Sequence, residues 1–528
     1  MSQPSPPSDV GVFNSELPLP QSQPERLAAI ARMRGMDPAD VESASILEIG
    51  CGSGANLLPL AERYPGSRFL GVDRSAEAIA NAAQIAATVG LRNVEFRQQD
   101  SWNFGEPGSF DYILAPDVYS WVDSDSRDQF LSACREQLSP AGLAYVNTNL
   151  YPGWRAHELL RSIMQFQTRG ARTDAERLAA ARTLLAFVES TLPADDGGYG
   201  AMMHELLAPI RLQPDRALLH DYLGEAGYAA YFTQFAAHVR QHGLQVVGDA
   251  GLGIRPYDYL PPPQERMLRE LTADLDEQLQ LRDILQNKSH RQALLARDQI
   301  ALQVELDATR LAGTFLEARL QPEEPEQPIE STRDAKFVGP DGLSIVTAVP
   351  AAKAALVHLG SIWPNRIAFD ELLEVARARI EAAGTEPPRG KSIDKTVDVA
   401  RLTETLLHCC VPGIVQVHST RQSFVSTPGE RPTASPLARW QAAREEVTTN
   451  RRHEPVRLEP LDRYIMVLLD GTRTVADAIE HLTTAAAEGQ IALVEQGEPV
   501  AQDQSAAFAE REMTATLARL AEHALLIA

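Results

Sequence analysis

Several features are scarce or absent in this sequence of 528 residues. Its four cysteines (Cys51, Cys134, Cys409 and Cys410) form no Cys-x-x-Cys pair, which argues against a zinc ribbon or a disulfide framework. No apolar run reaches the roughly 18 residues of a membrane span. The first residues have neither the basic patch nor the apolar core of a secretion signal. We therefore expect a cytoplasmic protein without a membrane partner.

Basic residues are also in deficit, with 49 lysines and arginines against 71 aspartates and glutamates and a formal net charge of −22. Phosphate binding depends on the density of lysine and arginine, so this balance argues against a nucleic-acid partner. The charge would attract a basic partner, such as a lysine-bearing protein segment. Acidity that only maintains solubility explains the charge equally well. The length predicts about three or four domains.

The most informative stretch is ILEIGCGSGANLLPL, at residues 46–60. The short apolar run 46–49 predicts a buried parallel strand, and 57–63 has helical spacing. Three glycines lie between them: Gly50, Gly52 and Gly54. Their backbone can approach a ligand closely because no Cβ intervenes. A ligand would then lie at the helix N-terminus, beyond the strand end.

Acidic residues at the strand ends indicate which ligand this is. Asp73 ends the second strand, where a carboxylate can hold two ribose hydroxyls. The glycine pattern alone fits a dinucleotide equally well, but Glu48 would repel a pyrophosphate and suits the cationic methionine end of S-adenosylmethionine. Asp100 and Ser101 follow the third strand and can accept from an adenine amine. We expect S-adenosylmethionine, with a strand–turn–helix that binds no ligand as the alternative.

Strands and helices alternate up to residue 150. Strands are predicted at 46–49, 68–72, 94–97, 110–115 and 143–148, and helices at 55–63, 76–89 and 126–138. This alternation implies right-handed βαβ units and a parallel sheet. Ser139-Pro140-Ala141-Gly142 predicts a turn before the last strand.

After Leu150 the pattern becomes helical. We interpret 151–231 as a helical insertion over the carboxyl edge of the sheet, where ligands bind in open α/β folds, and thus as a lid that selects substrate. The helix 232–242 and the strand 244–247 then resume the sheet. Two more helices are predicted, at 264–285 and 290–311.

The rest of the chain is predicted to form a separate region. Residues 321–332 are acidic and proline-rich, which is typical of a flexible linker. The segments 333–418 and 437–528 each have the order helix, turn, helix, helix, strand, which indicates two winged-helix-like modules.

Basic residues cluster in the second module, at Arg439, Arg444, Arg451, Arg452, His453 and Arg457. Glutamates are interleaved with them, which is rare on a DNA-contacting face. We therefore expect dimerisation, as a homodimer, or protein docking at this cluster instead of DNA contact.

Longer blocks carry a family resemblance: LPLPQSQPERLAAIARMRG (17–35), FDYILAPDVYSWV (110–122), NLYPGWR (149–155), AGYAAYFTQFAAHVRQHGLQVVGDA (226–250) and RDILQNKSHRQALL (282–295). They resemble a class I S-adenosylmethionine-dependent methyltransferase. More narrowly, they resemble the bacterial group with a methyltransferase regulatory domain, represented by the rickettsial outer-membrane-protein lysine methyltransferases.

The resemblance implies an α/β fold with a Rossmann-like methyltransferase sheet and a helical insertion, followed by a mostly helical, winged-helix-like C-terminal region. An N-terminal arm and the methyltransferase core would occupy 1–150. The insertion, the end of the sheet and the regulatory domain would occupy 151–320, before the two modules. The predicted cofactor-binding residues are Glu48, Gly50, Cys51, Gly52, Gly54, Asn56, Asp73, Arg74, Asp100, Ser101 and Ala115.

The implied function is N-methylation of lysine side chains on a surface or secretory-pathway protein before its export. Transfer to a peptide or small metabolite is one alternative, and a cofactor-binding scaffold without turnover is another. A lysine amine must lose its proton before it attacks the methyl, and a desolvated aromatic channel lowers the amine pKa and holds the incoming cation.

The residues predicted for this chemistry are Asp117, Tyr119, Trp121, Tyr151 and Trp154. Asp117 can accept a proton or orient the amine, and a helix start is its alternative role. It belongs to Pro116-Asp117, which stands where the family has His-Gly, facing the reacting methyl. Core packing is the alternative role for each tryptophan.

No metal is expected. His238 and His242 form an i, i+4 pair without an acidic residue between them, which favours an ordinary helix face over a zinc site.

Overall fold

The computed structural model describes residues 17–193, 198–211, 213–224, 226–250, 260–303, 306–326, 328–340, 342–382, 395–495 and 498–528. The predicted N-terminal arm lies outside these residues up to residue 16. Two compact units are present. The middle unit contains Ser101–Glu305, and the split unit contains Ser15–Asp100 together with Leu306–Ala528. Within the described part of the chain, no helix is long and apolar enough to cross a membrane.

The first part of the split unit alternates strands and helices: α1 (Pro24–Met33), β1 (Ser45–Ile49), α2 (Leu57–Arg63), β2 (Arg68–Asp73), α3 (Ala76–Val89) and β3 (Val94–Gln98). β2 pairs in parallel with both β1 and β3. The apolar run of β1 is buried, as expected for a parallel strand covered on both faces. The side chain of Ser75 caps the N-terminus of α3, and Gly90 follows its last residue in the left-handed conformation. These elements confirm the predicted alternation.

The middle unit contains β4 (Phe110–Ala115), α4 (Ser124–Gln137), β5 (Leu138–Leu150), α5 (Trp154–Thr168), α6 (Asp174–Thr191), α7 (Gly198–Arg211), α8 (Asp215–Ala217), β6 (Ala229–Ala230), α9 (Phe232–Gln241), β7 (Leu244–Asp249), α10 (Pro262–Leu271), α11 (Leu275–Leu285) and β8 (His290–Arg297). Its strand order is β4-β5-β8-β7, with β6 beside the end of β5. β4 and β5 are parallel, and β8 is antiparallel to both of its neighbours.

The insertion is helical, as predicted. α5, α6, α7 and a π-helical turn at Leu218–Tyr222 share an apolar core of their own. Arg161 on α5 donates to the backbone carbonyls of Asp221, Gly224 and Ala226, which joins the beginning of the insertion to its end.

The helix predicted at 290–311 is wrong. Residues 290–297 form β8, and among the described residues of 298–311 only Ala308–Leu311 is helical, as a short 3-10 turn. β8 lies between β5 and β7 with its Ala-Leu-Leu-Ala segment buried. A strand buried on both faces has a continuous apolar run, which periodicity cannot distinguish from a buried helix.

Two boundaries also need correction. The predicted turn at 139–142 is part of β5, whose register against β4 shifts between Phe110 and Tyr112. Gly142 lies closely against Phe110 there, so a bulged strand takes the place of a turn. The single helix predicted at 264–285 is two helices, because Asp274 caps a new helix at its N-terminus.

The second part of the split unit contains β9 (Phe315–Glu317), β10 (Gln321–Pro322), β11 (Ala335–Val338), β12 (Ser344–Thr347), α12 (Pro350–Ile362), β13 (Ile367–Ala368), α13 (Phe369–Ala382), α14 (Lys395–Cys410), β14 (Gln416–His418), α15 (Pro436–Ala442), β15 (Val447–Thr449), β16 (Pro455–Arg457), α16 (Pro460–Leu468), α17 (Val475–Ala487), β17 (Val494–Glu495), β18 (Glu498–Pro499) and α18 (Ser505–Glu522). Small sheets accompany the helices, in the orders β13-β9-β14 and β15-β16.

The linker prediction is wrong at its start, because β10 pairs with β11 across the predicted linker. Pro322 is tolerated there because β10 is an edge strand. β9 is the central strand of the sheet β13-β9-β14, so this sheet includes residues that precede the predicted first module.

The basic cluster at 439–457 is not a single surface patch. Arg451 is paired with Glu62, and Arg452 is buried against Glu317 at 3.2 Å. His453 is also buried, whereas Arg457 forms an exposed pair with Glu446. Three of the cluster's basic side chains therefore have partners within the split unit, and homodimerisation stays a prediction.

Candidate active site

The glycine loop between β1 and α2 has the conformation that its sequence requires. Gly50, Gly52 and Gly54 have φ values of 76°, 52° and 78°, which residues with a Cβ rarely adopt. The amides of Gly50 and Cys51 donate to the carbonyl of Val72, at 2.8 and 3.1 Å, which holds the loop beside the end of β2. Cys51 is buried, and burial raises the pKa of its thiol, so it stays protonated as a small packing residue.

Asp73 lies at the end of β2 and holds the loop. Its Oδ2 accepts from the amide of Gly52 at 2.9 Å, and its Oδ1 accepts from the amide of Ser75 at 2.8 Å. Each carboxylate oxygen keeps further acceptor capacity. Arg74 and Asp100 form a wide ion pair of 3.8 Å with both side chains largely exposed.

Glu48 and Asn56 form a buried pair beneath the loop. The Asn56 amide donates to Glu48 Oε1 at 3.0 Å, while Glu48 Oε2 is buried without a hydrogen-bond partner among the described residues. Burial raises the pKa of Glu48 to about 8. An unpaired acceptor in this position fits a cofactor that brings a donor to it.

Asn56 also joins three other parts of the split unit. Its Oδ1 accepts from the amide of Leu19, the hydroxyl of Ser22 and Nε2 of His453, at 2.9, 3.2 and 2.7 Å. Direct contact of Asn56 with a cofactor stays a prediction. Its observed bonds make it a link between Glu48 and His453.

The C-terminal helical region is anchored on α2 beside the loop. Glu62 accepts from the amide of Leu437 at 2.8 Å and from Arg451 at 3.0 Å, and also from the hydroxyl of Ser435. Leu437 packs with Leu58 in the same place. The glycine loop is therefore supported from the far end of the chain.

In the middle unit, Asp117 follows β4 and lies opposite a histidine and a second carboxylate. Its Oδ2 is 3.6 Å from Nε2 of His220, whose Nδ1 is 2.9 Å from Asp221. The Asp117 side chain is only 15% exposed, and burial raises its pKa to about 7, against the opposing charge of His220. Burial would lower the pKa of His220, but the hydrogen bond with Asp221 and the charge of Asp117 raise it overall.

Asp117 is not a helix cap. The 3-10 turn that follows it, Tyr119–Trp121, begins after Val118 without a side-chain cap. The alternative role of Asp117 as a helix cap is therefore wrong.

Aromatic rings surround this group of titratable side chains. Trp121 lies 4.6 Å from the His220 ring, centroid to centroid, and 6.1 Å from Trp154 in an edge contact. His157 stacks on Trp154 at 4.5 Å, and burial lowers the pKa of His157 to about 4. Trp154 is buried, in agreement with core packing, whereas Trp121 is partly exposed.

Tyr119 is also buried, although the sequence predicts that its hydroxyl contacts the substrate. Its ring packs against Phe130, Tyr228 and Phe235, and its hydroxyl is 2.8 Å from Nδ1 of His238. Burial raises the pKa of this hydroxyl.

Tyr151 is more open. It is half-buried, donates to Glu158 and lies under the guanidinium of Arg155 at 3.8 Å. Burial, together with the Glu158 hydrogen bond, raises its pKa to about 12. Its hydroxyl is therefore a neutral hydrogen-bonding group.

The sequence-predicted residues thus form two groups. All predicted cofactor residues except Ser101 and Ala115 lie in the split unit, whereas those two and the predicted catalytic residues lie in the middle unit. His220, Asp221 and Asp128 are not among the site residues predicted from the sequence. Asp117 and His220 are about a hundred residues apart, so no local spacing indicates their contact.

Three family descriptions match the chain. "Methyltransferase domain" matches residues 46–142, "predicted methyltransferase regulatory domain" matches 214–297, and "PKMT, C-terminal winged helix domain" matches 430–525.

The chain is also similar to several curated proteins. The chain is 34% identical over 226 residues to the uncharacterized protein RP028 of Rickettsia prowazekii, which spans 42% of this chain and 90% of that protein. It is 25% identical over 488 residues to RP789 of the same organism, 91% of this chain and 86% of that protein. It is 30% identical to trans-aconitate 2-methyltransferase of an Azoarcus species, over 44% of this chain and 77% of that enzyme.

Among solved structures, the chain is similar to PKMT2 from Rickettsia typhi in complex with AdoHcy. The two share 25% sequence identity and a TM-score of 0.82, over 97% of this chain and 99% of that one.

The fold, the glycine loop and the acid at the end of β2 define a methyltransferase of class I. Within that class, the chain belongs to the S-adenosylmethionine-dependent methyltransferases with a methyltransferase regulatory domain. The predicted fold class and cofactor, S-adenosylmethionine, are confirmed. The predicted domain boundaries and the roles of individual site residues stay predictions.

Proposed function

We propose that this methyltransferase N-methylates lysine side chains of a protein substrate. The observation that carries the proposal is the match to PKMT2, a protein lysine methyltransferase. The match extends along nearly the whole chain, including the winged-helix domain. Short methyltransferases of small molecules match only part of the chain. A likeness that extends through the regulatory and winged-helix regions therefore favours the protein-lysine class.

The split unit has residues that fit the cofactor. The three glycines leave backbone open to a ligand, and Asp73 has acceptor capacity for a ribose diol. Glu48 Oε2 has no hydrogen-bond partner in the part of the chain that the structure describes. An ammonium group at Glu48 would stabilise its carboxylate form despite burial. When bound, S-adenosylmethionine supplies an electrophilic methyl group on a sulfonium.

The middle unit has residues that fit a lysine amine. Asp117 has a pKa near neutrality, which is suitable for a general base at physiological pH. The Trp121 ring offers a π face to a cation. Asp221 holds His220, which lies against Asp117. The charge of His220 favours the ionised form of Asp117, and the charge of Asp221 favours its protonated form.

The formal charge of −22 also supports a basic substrate, because an acidic protein attracts lysine-rich segments over long range. Salt screens this attraction, so we expect the affinity for a basic protein substrate to fall as ionic strength rises.

The test is transfer of labelled methyl from S-adenosylmethionine to a bacterial lysate by the full-length protein. We expect label on protein bands, and about a hundredfold less label or lower with Asp117→Asn, in line with loss of a general base. Asp111→Asn is a matched control, because Asp111 lies on β4 in the same segment of the middle unit.

Each outcome discriminates among the functions. Label confined to low-mass material would replace the proposal with a small-molecule methyltransferase. No label in either fraction, with cofactor binding retained, would favour a silent scaffold.

A further inference from the structure

A carboxylate and two histidines meet on the surface of the middle unit, away from Asp117 and its partners. Asp128 lies on α4, and His238 and His242 lie on α9 and at its C-terminal cap. Asp128 Oδ1 is 2.7 Å from Nε2 of His238 and 3.4 Å from Nε2 of His242. One ligand atom from each of the three side chains lies within 4.8 Å of the others.

The outer nitrogens of both histidines are held by hydroxyl groups. Nδ1 of His238 is 2.8 Å from the hydroxyl of Tyr119, and Nδ1 of His242 is 3.0 Å from the hydroxyl of Ser132. Both rings therefore turn their inner Nε2 atoms toward one carboxylate. Histidines that bind metals have this arrangement, because a second hydrogen bond fixes the ring and the tautomer.

We propose that Asp128, His238 and His242 bind a divalent transition-metal ion of the zinc type. Ligand atoms around tetrahedral zinc are about 3.4 Å apart, given metal–ligand bonds of about 2.0–2.1 Å. The Asp128–His242 separation already has this value, and His238 has to move back from Asp128 by about 0.7 Å. Asp128 is 54% exposed and the histidines are about one-fifth exposed, so water can complete the coordination.

Metal binding changes the hydrogen bond on Tyr119. Without metal, the Asp128 carboxylate can only accept, so neutral His238 has its proton on Nε2 and accepts from Tyr119 through Nδ1. With metal on Nε2, the proton moves to Nδ1, which then donates to the Tyr119 oxygen. The ion thus couples the surface site to a buried tyrosine that follows β4.

The test is a Co²⁺ titration of the full-length protein, without a histidine tag and after treatment with chelator. Co²⁺ is used because its visible absorption reports coordination, and Zn²⁺ is then added as competitor. We expect one equivalent of Co²⁺ to bind, to be displaced by Zn²⁺, and to bind at least tenfold more weakly in His242→Gln and in Asp128→Asn.

His408→Gln is the matched control, because His408 is exposed on α14 of the split unit. It should bind Co²⁺ like the natural protein. Tyr119→Phe, which removes only the outer hydrogen bond of His238, should weaken binding about tenfold. Circular dichroism shows whether each variant is folded.

The proposal is overturned if the natural protein binds no equivalent of Co²⁺, or if folded His242→Gln and Asp128→Asn bind it as tightly as the natural protein. Neither result depends on methyl transfer, so the metal site and the proposed function are tested separately.

Discussion

Asp73 combines a structural role with the predicted binding role. Its two oxygens already accept from the amides of Gly52 and Ser75, so the carboxylate shapes the loop before a ligand arrives. A ribose diol would add donors to oxygens that still have lone pairs. The residue that is predicted to bind the cofactor therefore also preorganises the backbone around it.

We expect Asp73→Asn to weaken S-adenosylmethionine binding by about 2–3 kcal/mol, because charged hydrogen bonds are lost while one carbonyl oxygen still supports the loop. Isothermal titration calorimetry measures this change. Glu77→Gln is the control, since Glu77 is an exposed acid in the first turn of the adjacent α3. Equal affinities in Asp73→Asn and the natural protein would contradict the assignment.

Asp117 leads to a prediction about pH. Because its pKa is raised to about 7, the residue is protonated and inactive as a base below that pH, and ionised above it. The proton that Asp117 accepts is the one that a lysine ammonium, with a pKa of about 10.4, must lose before the amine attacks the methyl. The logarithm of kcat/KM for a lysine-bearing protein should therefore rise with slope one below pH 7 and level off between pH 7 and about pH 10.

Asp117→Asn should remove the break near pH 7 and leave slope one throughout, with a much lower rate. A natural enzyme that has slope one across the whole range would show that Asp117 is not the base. Parallel calorimetry with S-adenosylmethionine distinguishes a loss of chemistry from a loss of cofactor binding.

At the scale of elements, the turn between β15 and β16 reaches the glycine loop. His453 in that turn has φ of 65°, which is uncommon for a residue with a side chain, and its ring is buried against Asn56. Burial lowers the pKa of His453 to about 3, so the ring is neutral at physiological pH. A neutral donor there keeps Asn56, and through it Glu48, in place.

We expect His453→Ala to weaken S-adenosylmethionine binding by about 1 kcal/mol, because Asn56 loses a buried partner and holds Glu48 less firmly. The measurement is calorimetry together with thermal unfolding. His481→Ala is the control, since His481 is exposed on α17 of the same winged-helix domain. Unchanged affinity in a folded His453→Ala protein would show that the winged-helix domain does not affect cofactor binding through Asn56.

Elements with a clear local period could be predicted from the sequence. α3 matches its predicted bounds, and β1 and β2 lie within a residue of theirs, because a capping serine, a C-terminal glycine and short buried strands are local signals. β8 could not be predicted, since its burial depends on two strands that are distant in sequence.

The site shows the same limit. The glycine loop and Asp73 are recognisable because their chemistry is contained in one βαβ unit. The bond between His453 and Asn56 joins residues 397 positions apart, and Asp128 meets His238 across 110 positions. Such pairs have no sequence spacing to detect, and only the folded chain brings them together.

For the whole molecule, the central claim is that the transferred methyl group is attached to lysine. The most direct measurement is tandem mass spectrometry of a protein acceptor after reaction with the full-length enzyme and isotopically labelled S-adenosylmethionine. We predict label on Nε of lysine, and none on the same acceptor after its lysines have been acetylated. Label on carboxylates or other side chains, or labelling that survives acetylation, would contradict the claim.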